Sequence, residues 1–230
     1  MIVRRAPFRG SQPEVNISTL CPKNRVRYTL NLADPTGLYT VNCASGDKQC
    51  NKAANRFEKQ RQKRLKSRKQ KVRDAARAWG ERGQDNHISV TFKPQQQVDA
   101  DAGNTDTAHY RVDAIVTPGA GADHQGTIEA EFSESLFGAD MGQATVHEGS
   151  HVEDNMNFLN SYDPSTGRYN PGLNFTHFDT EFQAFEAGSM VKRYSNFRPG
   201  PRGYQELENY IYRNYPNAST VVFPPLVYPP

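Results

Sequence analysis

Ala144-Thr-Val-His-Glu-Gly-Ser-His-Val-Glu-Asp-Asn-Met-Asn-Phe-Leu-Asn160 decides how the rest of the chain is read. It contains His147, Glu148 and His151, an H-E-x-x-H. On an α-helix, residues four apart are separated by about 40° around the axis, so both imidazoles leave the same face. Two ring nitrogens one turn apart can hold one zinc ion, and Glu148 can reach water at that ion without ligating it. Val152, Met156 and Leu159 give the same helix an apolar face to bury. Just upstream, Asp140-Met-Gly-Gln143 reads as a capping box.

The 230 residues are enough for one compact domain with tails. Hydrophobic residues make up 36% and mean hydropathy is −0.81, which implies a small core and long loops. No apolar run approaches the roughly 20 residues that span a bilayer. The opening MIVRRAPFRG is basic but lacks the apolar centre of a signal peptide, so export would need a carrier. Three cysteines are present, and Cys43 and Cys50 bracket a short loop. They are either a disulfide formed in an oxidising compartment or two free thiols. Net charge is +3, but residues 52 to 73 hold 11 Lys and Arg against the single acid Glu58, a local +10 that leaves −7 for the rest. We read this face as solvated or as complementing an acidic surface. Nucleic acid is not expected, because no aromatic interleaving or nucleic-acid motif accompanies the run.

The fold class expected is α+β. Residues 49 to 80 read as one long helix, with Phe57, Leu65, Val72, Ala76 and Trp79 on one stripe and Gly80 and Gly83 stopping it. Residues 88–92, 110–116 and 127–132 alternate and are rich in β-branched side chains, which predicts a small, mainly antiparallel three-stranded sheet. His87, His109 and His124 border these strands singly and read as surface residues. Residues 161 to 178 are a loop rich in Pro, Gly and Asn. Asp179 or Thr180 can cap a helix from 180 to about 195, and a last helix is expected from Tyr204 to Tyr212. Residues 1 to 40 are expected to be irregular, residues 41 to 215 to form the domain, and residues 216 to 230 to be a Pro-rich tail.

Long helix, small sheet, H-E-x-x-H helix, second helix is an order that resembles the zincin fold. The metzincin branch would need Gly at 154 and His at 157, where this chain has Asp154 and Asn157. Glu181-Phe-Gln-Ala184 resembles the gluzincins, in which a ligand Glu is followed by Ala three residues on. This resemblance, over residues 140 to 190, implies His147, His151 and Glu181 as zinc ligands. Glu186 remains an alternative, as does Asp179 for an aspzincin-like site. It further implies that an extended substrate pairs with an open sheet edge, for which Thr127–Phe132 is the candidate, with Glu129 and Glu131 favouring basic substrates. Residues 24 to 40, with Asn24-Arg-x-x-Tyr28, Asp34-Pro-Thr-Gly37 and Leu38-Tyr39, resemble the end of the core of Rhs or YD-repeat proteins, after which a toxin domain follows. Residues 1 to 23 contain no Tyr-Asp repeat array, so the chain is expected to be a detached tip of such a protein.

Together these features predict a zinc metallopeptidase toxin domain, delivered by a secretion system into a target cell. Its implied partners are a protein substrate, a parent Rhs-type shell and a cognate immunity protein. Glu148 is the expected general base, and His177 or Tyr194 the expected donor to the oxyanion. Asp154 is either an orienting partner of a ligand imidazole or a surface acid. A zinc amidase acting on cell-wall peptide and a non-enzymatic basic-helix binding module are the rival readings.

Overall fold

A computed structural model describes residues 38–43, 48–83, 87–101, 110–115, 127–163, 166, 168–169, 176–194, 201–215 and 217–220. The Rhs-like segment up to Gly37, His109, His124 and the Pro-rich end from 221 lie outside them. Thr36–Pro230 forms one compact unit.

In chain order the elements are β1 (Leu38–Cys43), α1 (Lys48–Leu65), α2 (Gln70–Ala78), β2 (Glu81–Arg82), β3 (Ile88–Lys93), α3 (Gln95–Asp101), β4 (Tyr110–Ile115) and β5 (Thr127–Ser133). They continue with α4 (Gly138–Leu159), the two-residue strands β6 (Tyr162–Asp163) and β7 (Arg168–Tyr169), α5 (His177–Ser189) and α6 (Pro201–Asn214). The α+β class is as expected, but the sheet is not. It has five strands in the order β2-β1-β3-β5-β4, and only the β4–β5 pair is antiparallel. Two of its strands, β1 and the two-residue β2, are not among those expected; β1 straddles residue 40, the expected boundary between the irregular segment and the domain. It sits between β2 and β3, and Tyr39 on it is fully buried. The helical connection from β1 to β3 is long enough for a parallel crossover, which a hairpin cannot make.

A second correction concerns β5. It is flanked by β3 and β4, so Thr127–Phe132 is no open edge, and among the described residues β4 ends the sheet instead. The chain passes over to β4 first and then returns in a hairpin, which slots β5 inside. Glu131 is buried and pairs with Lys93 on β3, so it is not held out for a substrate.

Alternation builds the core. Ile88, Val90 and Phe92 on β3 lie in register with Ile128, Ala130 and Phe132 on β5, all fully buried on one face. Phe57 of α1 packs into that face, with ring centroids 5.1 Å from Trp79, 5.1 Å from Phe132 and 6.0 Å from Phe92. The expected single helix from 49 to 80 is broken at residues 66–69 into α1 and α2. Crowding of like charges, Lys63, Arg64, Lys66, Arg68, Lys69, Lys71 and Arg73, weakens the helix there. The Ser67 hydroxyl then accepts from Lys69 N–H, and Arg73 donates to the Ser67 carbonyl. The break lets Val72 and Ala75 of α2 reach Val146 of α4 and Ala187 of α5. Cys43 and Cys50 form a disulfide that ties the end of β1 to the first turn of α1.

Candidate metal centre

α4 carries the H-E-x-x-H stretch through the middle of the molecule, and fourteen of its residues are buried, from Met141 to Leu159. It is clamped along its length. The Trp79 indole donates to the Thr145 carbonyl at 2.9 Å. At Gly149, a Cβ would overlap the Ala75 carbonyl of α2 and lie 2.8 Å from Trp79 Nε1, so only glycine permits this approach. The expected capping box does not form. α4 begins at Gly138 behind Phe137, with no side-chain cap. Asp140 pairs with Lys192, and Gln143 donates to the Lys192 carbonyl at 2.6 Å. These residues fasten the segment after α5 onto α4.

α5 starts one turn earlier than expected. Thr176 caps it, and Asp179 completes a reciprocal capping box by accepting from Thr176 N–H. That employment removes Asp179 from the ligand set. The fully buried Ala184 and the buried Ala187 and Gly188 let α5 lie against α4.

This packing brings Glu181 to the two histidines. Glu181 Oε2 is 3.5 Å from His147 Nε2, and Oε1 is 3.5 Å from His151 Nε2. One ligand atom from each of the three residues lies within 4.8 Å of the others. Donors about 2.0–2.2 Å from a tetrahedral zinc are separated by roughly 3.4 Å, so the histidine–carboxylate spacings suit a shared cation. They are too long for good hydrogen bonds. Glu181 Oε2 is buried with no hydrogen-bond partner, as an oxygen awaiting a cation would be. The residues present therefore fit a divalent metal. Glu186 does not compete: Lys71 pairs with it and the Tyr204 hydroxyl donates to it at 3.2 Å. Five residues past Glu181, it sits on another side of the helix.

The electrostatics match a cation site. Burial pushes the Glu181 carboxyl up, but the two imidazoles outweigh it and hold the group well below the ordinary carboxylate range. Burial disfavours a charged His151, yet Glu181, Glu148 and Asp154 raise its pKa to about 9. Glu148 is buried with an oxygen 3.8 Å from His147 Nε2.

Two tyrosines complete the surroundings. The Tyr194 oxygen lies 3.2 Å from His147 Nδ1, the ring nitrogen facing away from Glu181. This corrects its expected oxyanion role, because the hydroxyl sits behind the imidazole. Gly188 leaves the space for that hydroxyl, which a Cβ there would strike. His177 lies one turn before Glu181 on α5, with no side-chain contact to the trio among the described residues. Tyr215, which sequence reasoning missed, lies close enough to feel the Glu181 charge: burial first, then Glu181 and Tyr210, push its hydroxyl pKa up. It is 34 residues beyond Glu181, and no spacing rule in the sequence links the two.

No protein-family model, curated protein or solved structure matches this chain. What it does must therefore be argued from the site alone.

Proposed function

We propose that the chain is a zinc-dependent metallopeptidase of gluzincin type that serves as a delivered toxin domain. One observation supports this above the rest: two imidazoles and a carboxylate from a second helix converge within 4.8 Å, with a further buried glutamate beside them. Three protein ligands with one position left open is the donor set of a catalytic rather than a structural zinc. Zinc bound there would polarise the scissile carbonyl and acidify water at the open position.

The chain's own groups do the rest. His147 and His151 offer Nε2 lone pairs, and Glu181 one or both oxygens. When Nε2 of His147 ligates, its Nδ1–H donates to the Tyr194 oxygen 3.2 Å away, which holds the ring in that orientation. Glu148 removes a proton from the attacking water and then delivers it to the departing amine. Its burial keeps bulk water from levelling that transfer.

β4, the last strand of the sheet and antiparallel to its neighbour, offers the edge on which an extended peptide would pair. The toxin assignment rests on the Rhs-like residues 24 to 40, and a cognate immunity protein would be the expected partner. The test is zinc content by atomic emission, together with cleavage of a proteome extract and toxicity on expression, for the parent and Glu148→Gln. About one zinc per chain in both, with cleavage and toxicity only in the parent, supports the reading. A chain that takes up no zinc, or a Glu148→Gln protein as toxic as the parent, removes it.

A further inference from the structure

α1 has a second face that the metal site does not use. At about 100° per residue, Lys48, Lys52, Lys59 and Lys63 fall within an arc of about 60°. That arc lies opposite the buried stripe of Cys50, Phe57 and Arg61. All four lysines are exposed, and none has an acid or a hydrogen-bond acceptor among the described residues. The helix's one acid, Glu58, is turned aside, accepting from Arg61, Gln62 and Tyr39. Among the described residues, the positive stripe is thus not neutralised.

Tertiary packing adds what the linear run lacks. At the N-terminal end of the stripe an open cleft of about 550 Å³ is lined by Lys48, Lys52, Arg56, Phe137 and the largely buried Glu134, three cationic side chains against one acid. Phe137 is 67% exposed, the most exposed large apolar side chain among the described residues. Arg56 is held rigid by the Glu134 and Leu136 carbonyls, which orient its guanidinium without cancelling its charge. The uncapped N-terminus of α4 follows directly after Phe137 and adds a positive partial charge.

We infer that this face binds single-stranded nucleic acid, with phosphates along Lys48, Lys52, Lys59 and Lys63 and a base stacked on Phe137. A row of lysines with one free aromatic ring is the pairing of phosphate tracking and base stacking that open strands use. Stable protein interfaces instead deplete lysine and bury an apolar centre, which this face lacks. A duplex would keep its bases from the ring.

The test uses the full-length Glu148→Gln protein, so it reads binding independently of hydrolysis. Anisotropy of a labelled 20-nucleotide single strand is followed from 50 to 200 mM KCl. Four phosphate contacts give a log–log salt slope of about −2.8, a roughly fifty-fold loss of affinity over that range. Lys59→Gln with Lys63→Gln should halve the slope. Phe137→Ala should weaken binding about five-fold or more and leave the slope unchanged. The inference is overturned by absence of binding at 50 mM. It is equally overturned if polyglutamate or duplex DNA binds as tightly and Phe137→Ala changes nothing, which would mark a surface for acidic protein or any polyanion.

Discussion

Glu148 is buried and Glu181 half-buried near His147, and their surroundings give them different work. Glu181 sits between two imidazoles at 3.5 Å from each, whereas Glu148 lies 3.8 Å from His147. Glu148→Gln should therefore keep zinc while lowering turnover by about 10²–10⁴-fold, the usual share of a general base. Glu181→Gln should lose zinc, and Glu186→Gln should lose neither, as metal analysis and a peptide assay of the three variants will show. The metal-free protein carries a pH signature in the same residues. His151 is raised to about 9 from 6.5, so its contribution to stability is full below pH 6.5 and is lost as pH rises through 9. Glu181 is depressed from 4.5, so its contribution is present above 4.5 and is lost in acid. Metal-stripped protein should thus show its highest melting temperature between about pH 4.5 and 6.5. Glu181→Gln should flatten the fall on both sides; an unchanged profile would refute the pairing.

At the scale of elements, the site depends on how closely α2 and α5 approach α4. Gly149→Ala places a methyl against the Ala75 carbonyl, a backbone atom that cannot swing away. The expected cost is about 1–3 kcal/mol from overpacking, with weakened zinc binding because His147 and His151 flank the displaced residue. Denaturant melts and zinc titration together test this; loss of stability with zinc affinity intact would show the two are uncoupled. The segment after α5 is tied to α4 through Gln143 and Asp140 and brings Tyr194 to His147. Tyr194→Phe should cut zinc affinity by about 10–100-fold with little change in melting temperature.

For the whole molecule, the short connection from β1 into α1 is closed by the Cys43–Cys50 bridge, across a sequence separation of 7. Closing so short a loop contributes about 2.5 kcal/mol on chain-entropy grounds. A thiol reductant should lower the melting temperature by roughly 5–10 °C for a unit of this size, and Cys43→Ser with Cys50→Ser should reproduce that drop without a reductant. The bridge ties β1 to α1, and Tyr39 on that strand joins the aromatic cluster around Phe57, with ring centroids 5.7 Å apart.

Local periodicity was sufficient for His147, Glu148 and His151, because their relation is set within one turn of one helix, and for β3, β4 and β5, whose alternation is written residue by residue. Composition likewise showed the basic run of α1. Strand order was not legible, because β1 resembles a loop segment until β3 pairs with it, and pairing is a long-range contact with no local pattern. The choice of Glu181 over Glu186 agreed with the sequence resemblance, yet the physical reason lies in packing: Ala184 and Gly188 press one side of α5 onto α4, while Lys71 draws Glu186 away. Tyr215 and Phe137 acquired neighbours only through folding, since nothing in their own stretches of chain distinguishes them from other exposed or core aromatics.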